Sequence, residues 1–530
     1  MIHAFKKGQW DLFDWLVPLS DVDATTASGY SLLDLAADAG ASRVAALLLA
    51  NGATADRPGR PEGFPSALLF AANGQEPGHV ACVEMLLPLS DLAAVDSSKS
   101  TALHRAAQSG APKNVELLLA AGARADARDT MGRTPLSRAI LSENESLAKV
   151  GLLLPASDAK NTDDRGMAPL ALAARRRDSD AVERLRALLP LGDLDAVDDR
   201  GESALHDAAE FGPAESVKLL IAAGANAKIA SKSAITPLMG AARSKKNALE
   251  KVRALLPKSA VRARFKEKCG AMHVAIASEK WDVALELAPR ETKKNRLFAT
   301  RSAASAGLPG ELARFMALCD AEMPDSGQET ALMAAASGTG PGYAECLRLL
   351  LGWRLSDLAA TDKKGDTALH AAVEFGSSKA VEMLLASGAD ANAENQKGVA
   401  ALGCAVTTVP EAEQKVQALL TAGADPKGMA HNGARIMQAA IRSRNERMVD
   451  LLLSQSPEPP EQKDVEKALA IFGRERLPQW AALQEAEAIR AAISPETTKF
   501  AATGSEAEGM GIGPCDEKPR APSRREPRSL

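Results

Sequence analysis

The sequence predicts an all-α repeat solenoid, built of stacked helix-turn-helix units with projecting loops or β-hairpins. Three observations carry that prediction. The chain has 530 residues, more than one hydrophobic core usually organises, so it is either several domains or one stack of small units. Its hydrophobic fraction is 46% while aromatics supply only 3%, a mixture of Ala, Leu and Val suited to thin layers of paired helices. One pattern also returns at intervals of roughly 33 residues, a period at which each copy is a single supersecondary unit.

The copies are plainest in STALHRAAQSGAPKNVELLLAAGARADARD (100 to 129), ESALHDAAEFGPAESVKLLIAAGANAKIA (202 to 230) and DTALHAAVEFGSSKAVEMLLASGADANAEN (366 to 395). In each, Thr101, Ser203 or Thr367 stands where a hydroxyl satisfies free amides, so a helix starts there. Small residues such as Ala106 and Ala107 follow, then Gly110, Gly212 or Gly376, read as the left-handed residue that ends a short helix. VELLL, VKLLI and VEMLL place apolar side chains at helical spacing for a second, antiparallel helix. GARAD, GANAK and GADAN end it at another Gly, and the next segment projects as a loop. No unit can bury its apolar face alone, so function belongs to the array.

TALH, SALH and TPL followed by AA, G, V, LL and GAD resemble the ankyrin repeat. The resemblance covers most of residues 2 to 456 and assigns residues 1 to 456 to a solenoid of about fourteen units, degenerate around 231 to 326. LLPLSDLAAVD (86 to 96) returns as LLPLGDLDAVD (188 to 198) and RLSDLAATD (354 to 362), which points to duplication of blocks. Residues 457 to 500 are expected to form a linker, PEPPEQ, and a helical cap over the last apolar face. Residues 501 to 530 carry Gly, Pro, Ser and charge without periodicity and are expected to be a disordered tail.

Charge and cysteine usage exclude several functions. A net charge of −4 from 64 basic and 68 acidic residues gives no field for nucleic acid. The six cysteines form no CxxC, so neither a disulfide framework nor zinc is signalled and a cytoplasmic home is expected. Asp11 and Asp14 interrupt the run a signal peptide needs, and no stretch approaches the ~18 apolar residues of a membrane span. The Arg-rich C-terminus leaves open export to a host cell by a non-classical route.

His104, His206 and His370 recur at one position but lack a Cys or carboxylate at ligand spacing; the resemblance implies that they bond neighbouring loops. Cys82 and Cys346 precede the apolar pair of a second helix and read as small core residues. The Gly-rich runs at 337 to 342 and 509 to 514 lack the Gly-Lys-Ser/Thr of a phosphate cradle. No catalytic residue, cofactor or metal is expected.

The resemblance implies that partner proteins are gripped by a monomer through variable positions on loop tips and first-helix ends, a concave face in this family. Transferred position by position, these are Ser97, Ser98, Ser100, Gln108 and Ser109, then Thr130, Met131 and Arg133. Asp199, Arg200, Glu202, Glu210 and Phe211 follow, and later Lys363, Lys364, Asp366, Glu374 and Phe375. Arg175, Arg176, Arg177 and Arg243, with Lys245 and Lys246, fall at first-helix ends and form either a basic patch or merely solvated ends. Phe211 and Phe375 stand where the fold needs no large apolar group, so each either anchors a partner or plugs a gap between units. Lys99 in place of a loop Gly, and Arg177 and Lys245 in place of the inter-helix Gly, depart from the pattern. The expected function is a non-enzymatic scaffold or adaptor; alternatives are an exported effector that captures a host protein, and an enzyme served by the repeats.

Overall fold

A computed structural model describes residues 16–17, 21–56, 63–259, 270–319, 330–353, 357–407, 411–430, 435–455, 461–473 and 475–493. The expected tail, most of the expected linker and most of the N-terminal segment lie outside the described residues. The chain divides into two bodies, 1–389 and 390–530.

Among the described residues of the first body, helices come in antiparallel pairs, eleven of them from Leu32–Asp38 with Ser42–Ala50 to Ala368–Glu374 with Ser378–Ala386. The second body begins with Ala401–Ala405 and Ala412–Thr421 and ends with Gln462–Phe472 and Pro478–Ile493. Within the first body each first helix packs on the first helices before and after it and each second helix on its counterparts. The result is two parallel layers whose core is Ala, Leu and Val, as in Ala106, Ala107, Val115 and Leu118, all fully buried. A buried Leu of this kind stabilises the array by about 1.5–3 kcal/mol, so stacking rather than helix propensity holds helices as short as seven residues.

Capping follows the letters. Thr101, Ser203 and Thr367 are N-caps, and in each the residue three places on is the repeat histidine, which closes a capping box with the cap's own amide. The projecting loops close by single antiparallel bridges, such as Val197 with Ser203 in the first body and Glu394 with Ala400 in the second.

One expectation is corrected. Gly110, Gly212 and Gly376 do not adopt the left-handed conformation; Gly122, Gly224 and Gly388, after the second helices, do, at φ of 87°, 97° and 92°. The inter-helix glycines are required by close approach. A Cβ on Gly110, Gly212 or Gly376 would lie 2.0, 2.2 or 2.0 Å from the carbonyl oxygens of Ala72, Ala174 and Ala336 in the preceding repeat. Where Arg177 and Lys245 replace this glycine, the connection is longer, and the next helix starts at Ala181 or Ala248. Lys99 takes the loop conformation of Gly132 and Gly201, with φ of 54° against 70° and 76°.

Candidate protein-binding face

In the first body most of the described projecting loops are Asp-x-x-Gly turns, or variants, folded around their own carboxylate, while the 231–235 loop folds around the Ser231 hydroxyl, which accepts the Ile235 amide at 3.1 Å. Asp198 accepts the amides of Arg200 at 2.9 Å and Glu202 at 2.8 Å, and Asp362 accepts those of Lys364 at 2.7 Å and Asp366 at 2.9 Å. Successive tips are joined by backbone bonds. The Thr130 amide donates to the Ser98 carbonyl at 2.9 Å, Asp164 to Met131 at 3.0 Å, Asp199 to Arg165 at 3.0 Å and Lys232 to Arg200 at 2.8 Å. Ser98, Thr130, Met131, Asp199 and Arg200 thus sit on one hydrogen-bonded ladder, with Met131 among the exposed large apolar residues. The ladder could not be read from the letters, because it joins main-chain groups about 33 residues apart.

The first helices form the floor beside this ladder, and their C-terminal ends make a second rim. Ala204–Glu210 has seven residues, about 10 Å of helix at 1.5 Å per residue. Asp199 and Arg200 therefore do not meet Glu210 and Phe211; they frame opposite edges of the same face, as Lys363 and Lys364 do with Glu374 and Phe375.

The arginines are engaged with the protein itself. Arg133 lies 3.8 Å from the buried Asp163, Arg176 pairs with Asp178 at 2.9 Å, and Arg200 with Asp198 at 3.4 Å and Glu202 at 3.2 Å. Arg243 pairs with Glu210, whose carbonyl also accepts Ser244 Oγ at 2.9 Å. Arg175 lies 3.7 Å from Asp207 and sets its guanidinium carbon 4.2 Å from the centre of the Phe211 ring. Arg177 adds a hydrogen bond to the Phe211 carbonyl. Acidic side chains of the same or an adjacent repeat thus face Arg133, Arg175, Arg176, Arg200 and Arg243, while Arg177 donates to the main-chain carbonyls of Phe211 and Glu210. Phe211 is half-buried beneath Arg175, whereas Phe375 keeps 59% of its surface in solvent.

Asp207, which sequence reasoning passed over inside the SALH segment, is the buried acid of this rim. Burial drives its carboxyl up from the ordinary 3.8 to about 7, against the pull of Arg175. Its only sequence signal is a carboxylate on the floor where the neighbouring repeats carry Leu172 and Gly240.

The family model of ankyrin repeats matches the chain in three copies, over residues 68–154, 136–233 and 301–395. The chain belongs to the ankyrin-repeat family. No curated protein matches it. Ankyrin repeats generally mediate protein–protein interaction and are typically non-enzymatic modules.

Within these ankyrin repeats His104 and His206 bond between neighbouring loops. His104 Nδ1 accepts the Thr101 amide at 3.2 Å, so Nε2 carries the proton and donates to the Arg133 carbonyl at 3.0 Å. His206 repeats this with Ser203 and with Ile235 at 3.1 Å. Burial lowers both imidazoles below 6.5 and keeps them neutral. Cys82 and Cys346 are buried thiols pushed up to about 11, which removes them as nucleophiles at neutral pH. Among the described residues no group of three or more His, Cys, Asp or Glu could hold a metal ion, and no helix is long and apolar enough to cross a membrane. A groove of about 1120 Å³ opens between loops in the N-terminal part of the array, lined by Asp91, Lys99, Arg124, Asp126 and Arg128. Arg124 is turned onto Asp126 at 3.3 Å and Arg128 donates to the Thr162 carbonyl at 2.9 Å, so much of its polarity is internally matched.

Proposed function

We propose that this ankyrin-repeat chain is a non-enzymatic scaffold that grips a partner protein on the first-helix face of the 1–389 body, between the loop-tip ladder and the helix-end rim. The observation that carries this reading is the exposure of Phe375, 59% in solvent on a rim whose other aromatic is covered. A large apolar side chain left in water amid polar neighbours is the usual anchor of an interface. Lys363 and Lys364, exposed on the opposite rim of the same repeat, make no side-chain ion pair among the described residues, so they are available to acidic groups of a partner. Such a partner would bury about 1,200–2,000 Å² in total.

The test is affinity capture by the full chain from native-source lysate beside Phe375→Ala and Lys363→Ala/Lys364→Ala forms, with bound proteins quantified by mass spectrometry. A protein captured by the wild type and lost from both variants identifies the partner and its face. Identical capture by all three forms would sink the reading.

A further inference from the structure

The array contains two copies of one aromatic site, and only one of them is filled. Phe211 and Phe375 each follow the last residue of a first helix and donate their amides to Asp207 and Ala371, at 2.8 and 3.0 Å. The glycine after each Phe abuts the preceding repeat in the same way, Gly212 on the Ala174 carbonyl and Gly376 on the Ala336 carbonyl. The residue following that carbonyl is Arg175 in the first case and Ser337 in the second. Arg175 reaches across and lays its guanidinium on the Phe211 ring. Ser337 turns back instead, donating from Oγ to the Ala334 carbonyl at 3.0 Å, and the Phe375 ring stays bare.

The geometry points to an arginine side chain of a partner protein as the occupant of the Phe375 site, taking the place that Arg175 holds over Phe211; this rests on the proposed docking face. An aromatic face attracts a guanidinium electrostatically and excludes water from one side of it. The neighbouring carboxylate supplies the complementary charge. In the filled copy Glu210 is neutralised by Arg243, while Glu374, at the same position beside Phe375, makes no ion pair among the described residues. Ala371, standing where Asp207 stands, leaves the floor under the ring small and uncharged. Among the described residues the bare copy therefore has no cation set against it as Arg175 and Arg243 are in the filled one, and its ring and carboxylate are arranged to accept one.

A library of short random peptides displayed on phage, selected on the immobilised full-length chain, supplies the probe. Selected peptides are synthesised with arginine and with citrulline, its neutral near-isostere, and their affinities are measured by fluorescence anisotropy. The variants are Phe375→Ala and Ser337→Arg, the latter supplying the missing guanidinium in cis; circular dichroism and thermal melting check their folding. The expected result is that selected peptides contain an arginine, and that citrulline, Ser337→Arg and Phe375→Ala each weaken binding by about tenfold or more. Peptides that need Phe375 but lose less than this with citrulline overturn the arginine assignment and leave the docking face standing. A selection yielding no peptide that depends on Phe375 overturns both.

Discussion

The imidazole of His104 donates from Nε2 to the main-chain carbonyl of Arg133, 3.0 Å away in the next repeat. The bond ties the N-terminus of one helix pair to the loop of its neighbour, and the same nitrogen of His206 reaches Ile235. His104→Ala would leave the Thr101 amide without a partner and the Arg133 carbonyl with the Asp129 amide alone, at a cost of about 1–3 kcal/mol. Both rings are held below the ordinary 6.5, so the unfolded chain takes up protons before the folded one. Their contribution is complete above about pH 6.5 and is lost as pH falls below it. Amide exchange in loops 129 to 134 and 231 to 236 should accelerate between pH 7 and 5, and that acceleration should shrink in His104→Ala only in the first loop.

Asp207 titrates with the opposite sign. Its folded pKa of about 7 exceeds the ordinary 3.8, so its contribution to stability is complete below about pH 4 and is lost as pH rises through 7. The net upward shift shows that the cost of burying the charge outweighs the attraction of Arg175 at 3.7 Å. Asp207→Asn should therefore raise the urea midpoint at pH 8 and leave it nearly unchanged at pH 4. A variant less stable than wild type at pH 8 would mean that the Arg175 pair dominates.

Two glycines in one repeat should respond very differently to alanine. At Gly376 a Cβ would stand 2.0 Å from the Ala336 carbonyl, so Ala must push two repeats apart. At Gly388 the backbone is left-handed, φ 92°, with nothing within 4 Å of a Cβ. The second change costs only backbone strain, about 1 kcal/mol. The first should cost more than twice that through lost packing across the interface. Thermal unfolding of the two variants decides the order.

Lys251 has a fully buried side chain whose ammonium donates to the Ala209 carbonyl at 3.0 Å and to Ser244 Oγ at 2.8 Å. Burial lowers it from 10.5 to about 8. Between those values the unfolded chain binds more protons, so stability rises as pH increases from 8 to 10.5. Lys251→Met should abolish that rise, worth on the order of 2 kcal/mol, in urea titrations across this range. A slope that persists in the variant would locate the titration elsewhere.

Much of this was legible in the letters. Thr101, Ser203 and Thr367 as caps, the VELLL-type second helices and the recurrent histidines follow from local chemistry written within one repeat. Gly110, Gly212 and Gly376 were visible as special positions, yet the sequence could not separate a conformational requirement from a steric one. The obstructing atom belongs to a carbonyl more than thirty residues away.

The candidate face divides in the same way. That the chain is an ankyrin array, and which positions fall on its loop tips and helix ends, was legible in a repeating pattern in which every copy reports on the others. Which of those residues remain open was decided only by the stacking of repeats. Phe211 and Phe375 have the same local sequence, EFG, and the same place in their repeats. One is covered and the other bare because the residue brought against them is Arg175 in one case and Ser337 in the other. A side chain's exposure depends on the surface that packing brings to it, and that surface comes from a different part of the chain.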